Sequence, residues 1–255
     1  MFFVHVMKTG GTTLFRHLRE NYALDELYPY RKMDIQWDGL KLDIRHHLSV
    51  SYLLGLPAER RAHIRVYTGH FPYVASEMLG GEFVTVTILR DPVERTLSLL
   101  RQFRRGTPWL DPSQRPPMES RTLEEVYEDP LVFAPLIQNH QTKIFSMQRS
   151  DDPESYMDVV DVDASRLALA KENLRKVDVI GITERWDWFL DDLVEWFGWR
   201  VDRAARANAA PREAIQPVSE SLRRRIADDN AIDVAFYEYA AELVDLRRRG
   251  RAAGA

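Results

Sequence analysis

The sequence predicts an α/β fold in three layers, with a central, mostly parallel sheet flanked by helices. Short apolar runs alternate with longer segments whose apolar residues recur at helical spacing, and this alternation is typical of βαβ units. The chain has 255 residues, of which 45% are hydrophobic, enough for one large core. We therefore expect a single domain over residues 1–255, with a frayed end at 249–255.

Four segments are predicted as strands, because each has the length and apolar character of a buried strand in a parallel sheet. The clearest covers residues 83–89 and is rich in β-branched residues. The first begins at Phe2, and the others cover residues 65–71 and 177–182. Residues 27–31 are interpreted as a loop.

Helices are predicted from apolar residues at helical spacing. The first carries Leu14, Leu18 and Tyr22 on one face, and Thr12 or Thr13 can cap it. The later predicted helices cover residues 123–127, 133–145, 165–177, 186–197, 219–227 and 232–248.

Composition argues against several classes of protein. The net charge is −4, from 35 basic and 39 acidic residues, which argues against a general nucleic-acid binder. Cysteine is absent, so disulfides and thiolate metal sites are excluded. Neither a signal peptide nor an apolar stretch of about 20 residues is apparent. We therefore expect a cytoplasmic protein without membrane insertion, in an oligomeric state that stays open.

A phosphate-binding turn is predicted directly after the first strand, in Lys8-Thr9-Gly10-Gly11-Thr12-Thr13. Two adjacent glycines let successive backbone N–H groups turn toward one point. The start of a helix adds about half a positive charge, and Lys8 adds a full one. In the common nucleotide-binding signature, G-x-x-x-x-G-K-[ST], the lysine follows the glycines, whereas Lys8 precedes them. The alternative is an ordinary strand–turn–helix with a solvated lysine.

A second anion site is predicted where the strand 83–89 ends. Arg90 follows this strand directly, and ligands collect at the carboxyl ends of strands in such sheets. Ser98 lies about two helical turns further on and shares the face that Arg90 begins. An arginine fork suits a doubly charged phosphate group. The alternative is that Asp91 caps a helix, with Arg90 and Arg95 as ordinary surface charges.

Both segments resemble PAPS-dependent sulfotransferases, in particular the carbohydrate branch related to heparan sulfate 2-O- and 6-O-sulfotransferases. The 5′-phosphosulfate loop of that family commonly reads Pro-Lys-Thr-Gly-Gly-Thr-Ser/Thr, with Met7 here in place of the proline. Its 3′-phosphate segment, Arg-Asp-Pro-x-x-Arg-x-x-Ser, matches residues 90–98. The resemblance implies a P-loop-like fold, PAPS as the donor and no required metal. The donor-binding residues that it implies here are Lys8, Thr9, Gly10, Gly11, Thr12, Thr13, Arg90 and Ser98.

The resemblance also implies a catalytic pair. His70 stands in a Gly-His pair at the point where the family has its proposed general base, and an imidazole can take the proton of an acceptor hydroxyl. Lys8 is implied to stabilise charge on the leaving phosphate oxygen. His46 and His47 have no motif around them, and we expect them at the surface.

Residues 139–143, Asn-His-Gln-Thr-Lys, resemble the family's Asn-x-x-Thr-Arg segment near the cofactor and acceptor. This implies Gln141 and Lys143, together with His70, as acceptor contacts. Residues 230–237 resemble the family's terminal helix, and we interpret that match as a packing signature.

Residues 181–185, Gly-Ile-Thr-Glu-Arg, resemble the family's Gly-x-Thr-Glu-Arg element beside the adenine. This implies that Thr183 and Glu184 bind the nucleotide, although Glu184 can equally be a charge at a helix N-terminus. Asn208 and Arg212 resemble a polar Asn/Arg loop of the family.

We therefore expect a PAPS-dependent sulfotransferase acting on a hydroxyl of a carbohydrate, a glycolipid or another small alcohol. Segments 25–60 and 105–125, which include Trp37 and Trp109, suit an acceptor pocket. Two alternatives stay open: a P-loop kinase that holds Mg²⁺ through Asp91, and a nucleotide-binding protein without activity.

Overall fold

A five-stranded sheet, parallel throughout, forms the middle layer of the protein. The computed structural model describes residues 1–29, 45–105, 120–204 and 218–254. The strand order is β2-β3-β1-β4-β5, which confirms the predicted α/β class. The strands are β1 (Phe2–Val4), β2 (Leu27–Tyr28), β3 (Val66–Tyr67), β4 (Thr85–Leu89) and β5 (Val179–Ile182).

The central strand is β1, which pairs with β3 on one side and with β4 on the other. Strands β4 and β5 pair over four residues, ending at Leu89 opposite Ile182. The four predicted strands are therefore present, with shorter bounds. The fifth, β2, lies in the segment that we interpreted as a loop, and its two residues pair with β3 at the edge of the sheet.

Helices cover both faces of the sheet within the described residues. Those before β5 are α1 (Gly11–Asn21), α2 (Arg45–Leu48), α3 (Val50–Leu54), α4 (Ala58–His63), α5 (Val74–Leu79), α6 (Pro92–Arg104), α7 (Leu123–Tyr127), α8 (Pro130–Val132), α9 (His140–Ser146) and α10 (Ala164–Lys176). Those after β5 are α11 (Trp186–Phe197), α12 (Glu220–Asp229) and α13 (Ala231–Gly254). The last helix thus continues into the stretch whose end we expected to be frayed.

Successive residues of β1 point to opposite faces of the sheet and so divide the interior into two apolar cores. Phe3 packs with α1 and α11, through residues such as Leu14 and Phe189. Phe2 and Val4 face the other core, to which α6, α9, α10 and α13 contribute. The three layers of the predicted fold follow from this alternation.

The predicted helix 133–145 is interrupted in the structure. A π-helical turn covers Phe133–Ile137, and its closing bond runs from Gln138 N to Phe133 O at 2.9 Å. Pro135 has no N–H to give to a regular α-helix. Asn139 then takes a left-handed conformation, with φ 44°, before α9 begins. Among the described residues, no helix is both long and apolar enough to cross a membrane.

Candidate active site

The turn between β1 and α1 is built around two glycines. Gly10 has φ 105°, and a Cβ there would lie 2.7 Å from Cζ3 of Trp186. A Cβ on Gly11 would lie 1.9 Å from Nε2 of His5. Both positions therefore require glycine. Helix α1 has Gly10 as its N-cap without a side-chain cap, so the expected capping by Thr12 or Thr13 is wrong. An uncapped helix start leaves backbone N–H groups for an anion.

Thr9 and Thr183 fix this turn to the neighbouring strand end. The Thr9 hydroxyl donates to Val6 O at 2.9 Å. The Thr183 hydroxyl lies 2.8 Å from Thr9 O and 3.1 Å from Leu89 O. Thr183 thus joins the phosphate-binding turn to the end of β4.

Lys8 and Arg90 meet at the carboxyl ends of β1 and β4. Nη1 of Arg90 donates to Lys8 O at 3.2 Å, while Nε of Arg90 is buried without a hydrogen-bond partner. Oε1 of Glu184 lies 4.0 Å from Nε of Arg90. The Lys8 ammonium donates to the neutral Gln102 Oε1 at 2.5 Å. Within the described residues, Glu184 at 4.0 Å is therefore the only carboxylate paired with either of these two cations.

The pKa of Lys8 is shifted by its burial and by the positive charges around it. Burial, together with repulsion from Arg105, Arg90 and Arg95, lowers the pKa of Lys8 to about 8. An anion bound beside these groups would relieve their repulsion and favour the charged form of the lysine. The site is thus suited to a ligand with several negative charges.

Helix α6 brings Ser98 toward the same region. Ser98 is partly exposed, and its hydroxyl has no hydrogen bond to any described residue. Gln102, one helical turn later on the same face, contacts Lys8. Asp91 caps α6 by accepting from Glu94 N at 2.9 Å. Arg95 is fully buried and donates to the carbonyls of the π-helical turn, so its interpretation as a surface charge is wrong.

His70 follows β3 and faces the turn from the other side of β1. Its Nδ1 lies 3.1 Å from His5 O, and its ring stacks on that of His5 with centroids 4.0 Å apart. A carbonyl only accepts, so Nδ1 carries the proton and Nε2 holds the lone pair that a base needs. The ring of Tyr156 lies 5.2 Å from His70. His47, expected at the surface, is buried instead, and its carbonyl accepts from His70 N at 2.7 Å.

Glu184 contacts the backbone that follows Arg90. Its Oε1 accepts from Asp91 N at 3.3 Å, and its Oε2 accepts from the Tyr237 hydroxyl at 2.9 Å. Burial raises the pKa of Tyr237, and the neighbouring carboxylate adds to this shift. Glu184 therefore lies beside the Arg90 half of the site.

Gln141 and Lys143 are both occupied by contacts within the fold. Lys143 donates to Pro135 O, Tyr156 O and Asp158 O at 2.7 to 2.8 Å, and burial lowers its pKa to about 7. These bonds use all three donors of an ammonium group, so the structure gives Lys143 no role at an acceptor. The side-chain amide of Gln141 bonds the backbone of Arg90.

Three residues that shape this site, His5, Gln102 and Trp186, were not predicted from the sequence. Only Gln102 had a usable signal, its position one helical turn after Ser98. Asn208, Arg212, Trp37 and Trp109 lie outside the described residues. In the part of the chain that the structure describes, no group of three or more metal-ligating side chains is present.

A parallel α/β sheet with two neighbouring cations beside a glycine turn is consistent with a P-loop-like fold. No known family profile matches the chain. The chain is 27% identical over 96% of its length to heparan-sulfate 6-O-sulfotransferase 1 of Homo sapiens, and 26% identical over 96% to heparan-sulfate 6-O-sulfotransferase 1-B of Danio rerio. It is 26% identical over 94% of its length to heparan-sulfate 6-O-sulfotransferase 2 of Gallus gallus. It spans 65% to 66% of the length of these relatives. The chain is therefore related to the heparan-sulfate sulfotransferases, which confirms the resemblance.

Proposed function

We propose that this protein transfers the sulfuryl group of PAPS to a hydroxyl of a carbohydrate acceptor and releases PAP. One observation carries the proposal: Lys8 and Arg90 converge at the carboxyl ends of β1 and β4, and among the described residues the only carboxylate near either cation is Glu184, at the 4.0 Å limit of an ion pair with Arg90. The relatives support it, because their names describe sulfation of heparan sulfate. An ordinary solvated lysine would not be half-buried with three arginines close enough to lower its pKa.

The residues present fit a nucleotide that carries charge at both ends. Lys8 and the N–H groups from Gly10 to Thr12 would hold the 5′-phosphosulfate, whereas Thr13 N already donates to Gly10 O at 3.0 Å. The unpartnered Nε of Arg90 and the hydroxyl of Ser98 would hold the 3′-phosphate. The adenine would lie near Thr183 and Glu184. We keep the prediction that the reaction requires no metal.

Three roles follow for the chain's own residues. His70 Nε2 takes the proton of the acceptor hydroxyl, whose oxygen forms the new bond to sulfur. The bond between sulfur and the phosphate oxygen breaks, and its electrons stay on PAP. Lys8 stabilises that developing charge, while Arg90 supplies binding energy away from the reacting atoms.

The acceptor is proposed as a carbohydrate because the curated relatives act on heparan sulfate. A glycolipid or another small alcohol stays an alternative. Segments 25–60 and 105–125 are the proposed acceptor-binding regions. Turnover of ³⁵S-labelled PAPS with a panel of glycans and small alcohols identifies the class.

A kinase is less well supported. Asp91, which would have to hold Mg²⁺, already uses its Oδ1 to cap α6. PAP should therefore raise the melting temperature without Mg²⁺, and ATP with Mg²⁺ should raise it much less. A larger shift from ATP with Mg²⁺ would favour the kinase. Absence of turnover despite PAP binding would favour a nucleotide-binding protein without activity.

The decisive test compares PAP with 5′-AMP, which lacks the 3′-phosphate, by titration calorimetry. A charge-assisted contact of Arg90 contributes about 1.5–3 kcal/mol, so wild type should prefer PAP by about ten- to a hundredfold. Arg90→Ala should weaken PAP alone, and Lys8→Ala should weaken both ligands. Equal weakening of both ligands by Arg90→Ala would contradict this placement of the nucleotide.

A further inference from the structure

The backbone of Arg90 is held by a side chain rather than by the sheet. Strands β4 and β5 stop pairing at Leu89, so Arg90 lies one residue beyond the ladder. There, Gln141 Nε2 donates to Arg90 O at 2.8 Å, and Gln141 Oε1 accepts from Arg90 N at 3.1 Å. A primary amide offers the same donor and acceptor as a peptide group. Gln141 therefore takes the place of a neighbouring strand at this one residue.

Gln141 is in turn fixed by the last helix, α13. It lies in the first turn of α9, where Asp233 accepts from the N–H groups of Gln141 and Thr142 at 3.0 and 2.7 Å. Asn139 N donates to Asn230 Oδ1 at 2.8 Å, and Asp233 N donates to Asn139 Oδ1 at 3.1 Å. All five side chains are buried. A buried network whose members bond one another holds a single arrangement.

A second connection reaches the same strand end from the same helix. Tyr237 lies one turn after Asp233 on α13, and its hydroxyl donates to Glu184. Glu184 accepts from Asp91 N, the next backbone donor after Arg90. Three backbone polar groups, the N–H and carbonyl of Arg90 and the N–H of Asp91, thus depend on side chains that α13 supports.

We propose that Gln141, held by Asp233, is a positioning residue that sets the direction in which the Arg90 guanidinium leaves β4. This inference rests on the proposed function, because it assigns Gln141 to the 3′-phosphate site and not to the acceptor. Helix α13 thereby determines, through Asp233 and Gln141, the direction from which the guanidinium approaches its ligand. Loss of the amide should leave Arg90 present but wrongly directed.

The test uses Gln141→Met, which keeps the length of the side chain and removes its amide. Its matched control is Asn173→Leu, which removes another buried amide that donates to a backbone carbonyl, Phe145 O at 2.8 Å. PAP and 5′-AMP are titrated into each full-length variant, and melting temperatures are recorded. Gln141→Met should reduce the preference for PAP about tenfold and change the 5′-AMP affinity less than about twofold. Asn173→Leu should lower the melting temperature and keep the preference.

Tyr237→Phe serves if Gln141→Met does not fold, because it removes one hydroxyl from a partly exposed side chain. It should reduce the preference for PAP about threefold. A wild type that binds PAP and 5′-AMP equally overturns the proposed function and this inference together. Variants at Gln141 or Tyr237 that keep the wild-type preference overturn this inference alone. An equal loss in Asn173→Leu also overturns it, because instability would then explain the effect.

Discussion

Gly11→Ala should disable catalysis while leaving the donor site largely intact. The new Cβ would lie 1.9 Å from His5 Nε2, 2.5 Å from Cε1 and 2.7 Å from Cδ2. Ordinary contacts between such atoms begin near 3.5 Å, so the His5 ring has to move by about 1.5 Å. The His5 ring stacks on the ring of Phe3, with centroids 4.8 Å apart, and on the ring of His70, with centroids 4.0 Å apart. Movement of the His5 ring should therefore displace the ring of His70, the candidate base.

The magnitudes follow from this geometry. Overpacking of this kind costs about 1–3 kcal/mol of stability, and a misplacement of about 1 Å at the reacting groups costs about a hundredfold in rate. The PAP affinity should change less than about fivefold, since Lys8 and Arg90 keep their places. The signature is a loss in kcat without a matching loss in donor binding.

The assay measures turnover of ³⁵S-labelled PAPS at saturating donor, with PAP affinity measured by calorimetry. The control is Gly250→Ala, because nothing lies within 4 Å of a Cβ at that helical position. It should keep full turnover and gain about 0.5–1 kcal/mol of stability. The kcat of the double variant His5→Ala/Gly11→Ala should be at least as high as the lower kcat of the two single variants. The two effects should not add, because both changes act through the His5 ring. A Gly11→Ala protein with kcat within twofold of wild type would refute the reasoning.

Two further predictions concern the proposed catalytic residues, His70 and Lys8. His70→Ala should lower kcat by about 10²–10⁴ and leave the calorimetric PAP affinity unchanged, and retained turnover would remove His70 from the mechanism. The pKa of Lys8, about 8 in the ligand-free protein against an ordinary 10.5, predicts that PAP affinity falls as pH rises through 8, because the ammonium loses its proton. Between those values the unfolded chain binds more protons, so the free energy of unfolding contributed by Lys8 rises with pH. Lys8→Arg stays charged and should flatten the binding profile measured from pH 7 to 9; an unchanged profile would assign the titration to another group.

The main strands, and the placement of Lys8 and Arg90 at strand ends, were predictable because each depends on local pattern. The apolar, β-branched run 83–89 indicates a buried strand wherever it occurs, and Arg90 follows directly at its carboxyl end. Strand β2 was not predictable in this way, since two residues carry no periodicity and their partner in β3 lies 39 positions away. Its existence depends on tertiary pairing.

The burial of several polar side chains was not predicted from the sequence either. Nothing local distinguishes a solvated Arg95 or His47 from a buried one, because burial depends on which segments pack above them. The same holds for Lys143, whose three acceptors come from segments on either side of α9. The helix predicted over 133–145 failed for a reason that was visible, since Pro135 lies inside it.

The hydrogen bonds between α13 and residues 139–142 can form only late in synthesis, because α13 is the last helix to be made. Asp233 follows Gln141 by 92 positions, and domains acquire structure from the amino end during synthesis. A nascent chain therefore presents Lys8 and Arg90 well before the helix that directs Arg90 has been made. Helix α13, which supports the backbone of Arg90, is thus the last element of this arrangement to be synthesised.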